Sequence, residues 1–308
     1  MSGKKPRIPD ASYRLLEDEE AGAGLRRIVA AQIDGAIADL RAGNSETRSG
    51  VHEARKKFKK IRAVLRLVKD ELGPVYAEEN TWYRDTARQL AGMRDAEAMV
   101  EAVDKLRKHF GKRFPSRIHK TVRAALVKQR DAAAETNKGA PMDVIIEGLA
   151  QARGRVAEWP IEATGYSLIE AGLGRVYRAG CRGHAAAETA RSAEAFHDWR
   201  KQVKHHWYHN RLLYVLWPEY FDPHQSSLKT LSDYLGDKHD LDELQSVLCD
   251  MVDSRDISYE HRQLVHDLAE ERSQTLQQDA LLLGSRIFAE KPKAYLARIW
   301  AYWHVRVY

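Results

Sequence analysis

Two cysteines, Cys181 and Cys249, are all that the 308 residues contain. So few thiols build neither a disulfide framework nor a zinc cluster, and they read as idle groups in a reducing cytoplasm. Long apolar runs are lacking as well. The longest, Leu212 to Trp217, falls far short of the ~20 residues of a membrane helix, so no membrane span is expected. The stretch MSGKKPRIPD carries early positive charge without an apolar segment behind it, which speaks against a secretory signal. β-Branched residues alternating with polar ones are scarce, leaving little basis for a sheet. Nucleotide fingerprints are missing too. Gly172-x-Gly174 has no strand before it and no third glycine, and no Gly-x-x-x-x-Gly-Lys-Ser/Thr occurs.

What is present is charge and helical rhythm. Charged residues make up 31% of the chain and hydrophobic ones 44%, a globular composition with a heavily charged surface. The net charge of +6 points toward an acidic partner. Leu25, Ile28, Val29, Ile33, Ile37 and Leu40 recur at spacings of three and four, as do Val51, Phe58, Ile61, Leu65 and Val68. Each set falls on one face of a helix. Breaks occur at Gly73-Pro74, Gly111, Gly139 with Pro141, Trp159-Pro160, Trp217-Pro218, Asp222-Pro223 and Lys291-Pro292. They predict roughly ten to twelve helices joined by short loops. In the first half the helices lie near 20–42, 48–72, 75–92, 94–108, 114–137 and 142–158. Antiparallel bundles bury such amphipathic helices. The expected organisation is a loose tail over 1–14, a first helical bundle over 15–160 and a second over 161–308.

One phrase occurs twice. His52-x-x-Arg55-Lys56-x-x-Lys59 returns as His197-x-x-Arg200-Lys201-x-x-Lys204, an offset of 145 residues. The same offset joins Arg66 to Arg211, Leu67 to Leu212, Leu90 to Leu235 and Asp95 to Asp240, so the chain carries an internal duplication. At 100° per residue, His52, Arg55, Lys56, Lys59, Arg62 and Arg66 share an arc of about 120°, beside the apolar face of Phe58, Ile61 and Leu65. In the second copy Tyr208 joins the stripe and Trp207 stands in the place of Arg62. Ser49 and Ser192 are the expected N-caps. Like charges stacked at i, i+3 and i+4 repel one another, so two matched stripes argue for binding rather than for two solvated faces. A row of cations suits a linear polyanion better than a single phosphate.

At these residues the chain resembles the CHAD family of helical domains named for conserved histidines. The two copies of the phrase carry the resemblance, with Leu90-Ala-Gly92-Met-Arg94-Asp95 and Leu235-Gly236-Asp-Lys-His-Asp240 reinforcing it. It implies an all-α fold of two antiparallel four-helix bundles related by pseudo-twofold symmetry, with the basic helices facing a shared groove. It also implies non-enzymatic binding of inorganic polyphosphate, without a cofactor, and association with polyphosphate granules. By position, the contacts it implies are His52, Arg55, Lys56, Lys59, Lys60, Arg62 and Arg66, then His197, Arg200, Lys201, Lys204 and Arg211. Arg84, Arg88, Arg94, Arg175, Arg178, His205 and Lys238 are candidates to extend the basic surface. The chain departs from the family at His205 and Trp207, where cations are common. An unperturbed His205 strengthens the second stripe only below about pH 6.5. Neither the strand pattern nor the Glu-x-Glu-x-Lys motif of the β-barrel often fused to this family appears.

Other readings compete. Trp207 and Tyr208 could stack bases, which makes RNA or single-stranded nucleic acid the second choice of partner. Asp237, Asp240, Asp242 and Glu243, echoed by Asp95 and Glu97, suit a helix start; a metal-dependent phosphohydrolase is the third reading. His205 and His209 sit four residues apart without a third ligand, so they read as polar surface residues rather than as a metal site.

Overall fold

The described residues of the computed structural model, 11–42, 48–90, 94–136, 141–251 and 257–305, form twelve α-helices and four short 3-10 helices, with no strand among them. The first half contains α1 (Ala21–Ala42), α2 (Arg48–Leu67), α3 (Lys69–Leu72), α4 (Pro74–Gln89), α5 (Arg94–Phe110), α6 (Ser116–Thr136) and α7 (Met142–Arg155). The second contains α8 (Ser167–Ala190), α9 (Ala193–Leu212), α10 (Pro218–Asp250), α11 (Tyr259–Ile287) and α12 (Pro292–Val305). The periodic residues lie where the spacing puts them. In α1, Leu25, Ile28, Val29, Ile33 and Leu40 are buried; in α2, Phe58, Ile61 and Leu65 are fully enclosed.

The helices close around two cores. One runs through both halves of the chain, joining Leu25, Phe58, Tyr83 and Leu149 to Tyr177, Trp199, Leu228 and Tyr295. The other joins Val103, Phe114 and Leu126 of α5 and α6 and their connection to Leu244 of α10 and Leu268 of α11. α5 and α6 therefore pack against the distal parts of α10 and α11, which serve both cores. Two details fix the cleft described below. The chain turns from α3 into α4 at Gly73, whose φ of +52° is strained for a side-chain-bearing residue, and Pro74 follows at the first helical position. Further on, α8 crosses the end of α2 at Gly172, where a Cβ would stand 1.9 Å from the Leu67 carbonyl oxygen. The Gly172-x-Gly174 pair is thus a close helix crossing.

Several expectations change. Ser192 does cap α9, accepting the Ala195 N–H at 3.2 Å. Ser49 falls inside α2, which begins at Arg48, and its side chain lies outside the described residues. The break expected at Asp222-Pro223 is absent. Pro223 falls early in α10, where it removes one helical hydrogen bond, and buried Phe221, Gln225, Leu228 and Leu231 hold the helix to the core. Asp237, Asp240, Asp242 and Glu243 consequently lie in the middle of α10 and start no helix. Residues 1–10 of the expected tail lie outside the described residues; beyond them, Tyr13 and Leu15 are buried. Tyr13 donates its hydroxyl to the Lys60 carbonyl at 3.0 Å.

Candidate functional site

The two repeated helices meet. His209 of α9 donates from Nε2 to the Ala63 carbonyl of α2 at 2.9 Å. Three residues along α2, Arg66 donates from Nε to His205 Nε2 at 2.9 Å. Beside this contact lies a cleft of about 510 Å³ lined by α2, α4 and α9. Arg55, Lys59, Arg62 and Arg66 come from α2, and Arg84 and Arg88 from α4. Arg200, Lys201 and Lys204 come from α9, with His197 and His205. Among the described residues, nine Arg and Lys side chains face the cleft, and none that lines it is Asp or Glu.

The α4 wall holds the α2 stripe in place. Arg66 donates to the Tyr76 hydroxyl at 2.8 Å and Arg62 to Asn80 Oδ1 at 3.0 Å. Tyr76, Asn80, Arg84 and Arg88 recur every four residues, so a single face of α4 supplies two anchors and two further cations. Behind α2, Arg175 of α8 donates to the Arg66 carbonyl at 3.3 Å and pairs with Asp70. At the other wall, the guanidinium of Arg200 lies over Gly236, whose added Cβ would stand 3.7 Å from Nε. That Nε is buried without a hydrogen-bond partner.

Crowding of like charges marks the site electrostatically. Burial, then Arg66, Arg84 and Arg88 among its neighbours, lowers the Arg62 pKa to about 10. Burial, then Arg200 and Lys59, lowers Lys204 to about 7. Burial also depresses Arg200, opposed by Asp240 and Asp237. An anion in the cleft relieves these penalties, because a nearby opposite charge favours the charged form that loss of hydration disfavours.

The sequence-derived residues divide into two sets. Arg55, Lys59, Arg62, Arg66, Arg84, Arg88, His197, Arg200, Lys201, Lys204 and His205 are brought together. The others whose side chains are described do not line the cleft. Lys56 is exposed and bonded to Glu53 at 2.6 Å, with His52 on the same carboxylate at 3.9 Å. Lys60 and Arg211 lie over opposite sides of the sequence but the same ring, Tyr13, each at 5.2 Å. Arg178 lies on α8 beside Gly174. Lys238 is buried against Asp242 at 2.6 Å. The side chain of Arg94 lies outside the described residues.

Two readings of the second stripe need correction. His205 does not become a cation near pH 6.5: burial beside Arg66 holds it well below the ordinary histidine value. In that state it accepts the Arg66 N–H. His209 is fully enclosed, and burial lowers it to about 4. His209 is enclosed in the contact between α2 and α9, while His205 joins that contact and also lines the cleft. Trp207 packs against Arg211 at 5.4 Å, away from the cleft. Tyr208 reaches the lining but is 6% exposed.

The acidic residues of α10 also have partners. Asp237 accepts from Lys105 at 2.7 Å, and Asp242 from Lys238. Among the described residues no group of three or more His, Cys, Asp or Glu is placed to hold a metal ion. No helix among them is long and apolar enough to cross a membrane.

Comparison with known proteins adds three findings. The family model for the CHAD domain matches residues 29–249. A crystal structure of the CHAD domain from the plant Ricinus communis superposes with a TM-score of 0.65 at 14% identity, covering 98% of this chain and 97% of that one. PptA from Streptomyces chartreusis superposes with a TM-score of 0.62 at 13% identity, covering 88% and 100%. At such identities the likeness is one of fold. A search of curated proteins gives no match.

Proposed function

Since the chain belongs to the CHAD domain family, we propose that it binds inorganic polyphosphate in the cleft between α2, α4 and α9, without turning it over. One observation carries the reading: nine cations from three helices line the cleft, and among the described residues that line it there is no carboxylate. Repeating phosphates satisfy such a surface because each cation meets an equivalent group wherever the chain lies. The cleft lacks what base recognition needs. Its aromatic lining residues are Phe58, fully enclosed, and Tyr208, nearly so, and neither offers the open ring face on which a base stacks. Binding of this kind also provides a route for recruiting the protein to polyphosphate granules.

Competition tests the reading against its nearest rival. Long-chain polyphosphate displaces labelled single-stranded RNA at equal phosphate concentration; RNA displacing polyphosphate overturns the assignment. The affinity is strongly salt-dependent. With about five cations paired to phosphate, it falls roughly a hundredfold between about 50 and about 200 mM salt. Anisotropy titrations measure the slope, and a flat response contradicts a polyanion site.

Lys204 sets the pH dependence. Its amine in the unliganded cleft has a pKa of about 7, and bound phosphate raises it, so binding takes up a proton as pH rises above 7. Affinity then weakens with rising pH, by up to about tenfold per unit for one linked proton. Lys204→Arg keeps the charge and removes that component. Dissociation constants at pH 6.5 and 8.5, at constant ionic strength, check it; equal slopes in wild type and variant contradict the role of Lys204.

A further inference from the structure

A second cavity, of about 420 Å³, opens where α5, α10 and α11 meet. Its floor is apolar: Ala102 and Leu106 of α5, Leu241 of α10 and Leu276 of α11, all buried in the second core. Charged groups surround that floor. Lys108 and His109 stand on α5 and Arg272 on α11, while α10 contributes Asp237 and Asp240. The charges are not mutually satisfied. Lys105 takes Asp237 at 2.7 Å, but among the described residues neither Lys108 nor Arg272 has an acidic side chain within ion-pair distance. Burial, then the neighbouring Arg272, holds His109 below the ordinary histidine value, opposed by Glu271. Asp240 is half-buried, and that burial raises its pKa, so its carboxylate gains from a hydrogen-bond donor.

Three requirements therefore fall on one ligand: an anionic group for the cations, a flat apolar body for the leucine floor, and N–H or O–H donors for a carboxylate. Inorganic phosphate meets the first alone and leaves the floor wet. An apolar molecule meets only the second. A volume of about 420 Å³ is within the range of a small-molecule site. We infer that this cavity binds a nucleotide, with its phosphates at Lys108, His109 and Arg272, its base over Leu106, Leu241 and Leu276, and base or ribose donors on Asp240. The inference stands apart from the polyphosphate reading, because the two sites have no lining residue in common. They are electrostatic neighbours all the same: Asp240 also acts on Arg200 and Lys204 of the cleft. A ligand donor that engages Asp240 changes the field that those cations feel.

Calorimetry on the full chain tests this with ATP as the probe. Using the Arg55→Glu/Lys59→Glu protein weakens competing binding in the polyphosphate cleft. In that background ATP binds one per chain and at least about tenfold more tightly than tripolyphosphate, because the base adds apolar burial that tripolyphosphate lacks. Leu106→Trp fills the floor and Arg272→Glu reverses the mouth, and each weakens ATP binding by about tenfold or more. If Leu106→Trp fails to fold, Arg272→Glu, which lies outside the core, carries the test. Three results overturn the inference: no ATP binding at millimolar concentration, ATP and tripolyphosphate binding equally, or ATP binding indifferent to Arg272→Glu.

Discussion

Reversing Arg55 and Lys59 to glutamate lowers the affinity for long-chain polyphosphate by roughly 100- to 1,000-fold, while reversing Lys56 and Lys60 changes it by about threefold at most. The two double variants alter net charge equally and sit on the same turns of the same helix. Global attraction weakens to the same degree in both and is screened beyond about 10 Å at ordinary ionic strength. The difference between them therefore reports the cleft itself. Arg55 and Lys59 line it. Lys56 is turned to Glu53, and Lys60 lies over the Tyr13 ring. Each reversal in the cleft removes a charge-assisted contact and adds a repulsive one. Anisotropy with labelled polyphosphate measures the constants, and circular dichroism checks that both variants keep their helices. Equal losses in the two variants would show that only the overall charge matters.

Gly172→Ala destabilises the protein by about 3 kcal/mol or more, which for a chain of this size lowers the melting temperature by roughly 6–12 °C. The added methyl group would sit 1.9 Å from the Leu67 carbonyl oxygen and 2.6 Å from its carbon. Both neighbours are helix backbone, so the strain cannot be relieved by turning a side chain. α8 must move away from α2, and the Arg175 contact to the Arg66 carbonyl moves with it. Cleft affinity falls along with stability. Gly154→Ala supplies the contrast. Gly154 lies near the end of α7 with nothing within 4 Å of an added Cβ, so alanine there stabilises by about 0.5–1 kcal/mol through helix propensity alone. Urea denaturation distinguishes the two. A Gly172→Ala protein as stable as wild type contradicts the close crossing.

Much of this molecule was legible in its sequence because the signals are local. Apolar spacings of three and four marked the helices, and glycines and prolines marked many of their ends. The cationic arc of α2 followed from the helical repeat. The α4 wall was within reach as well: Tyr76, Asn80, Arg84 and Arg88 recur every four residues. No local signal, however, shows which way that face points. Partnership across the chain was the part that spacing could not supply. Lys56 and Lys59 stand three residues apart on one helix, yet only Lys59 is brought to the cleft by the packing of α2 against α4 and α9. His205 and His209 have the pattern of surface polar residues until α2 packs over them and removes the water that would keep them charged. Pro223 looks like a break, but burial along α10 outweighs one missing hydrogen bond. The placement of α5 and α6 on α10 and α11 depends on matching apolar faces far apart in sequence, which periodicity leaves open.

Lysine acylation with and without long-chain polyphosphate tests the central assignment most directly, because it reads each amine separately in the unmodified protein. Lys204, with a pKa of about 7, has a large neutral fraction at pH 7.5. Polyphosphate both covers it and restores its proton. The account predicts strong protection of Lys59, Lys201 and Lys204, and little change at Lys56, Lys60 and Lys229. Protection spread evenly over all six lysines, or confined to those outside the cleft, would contradict it.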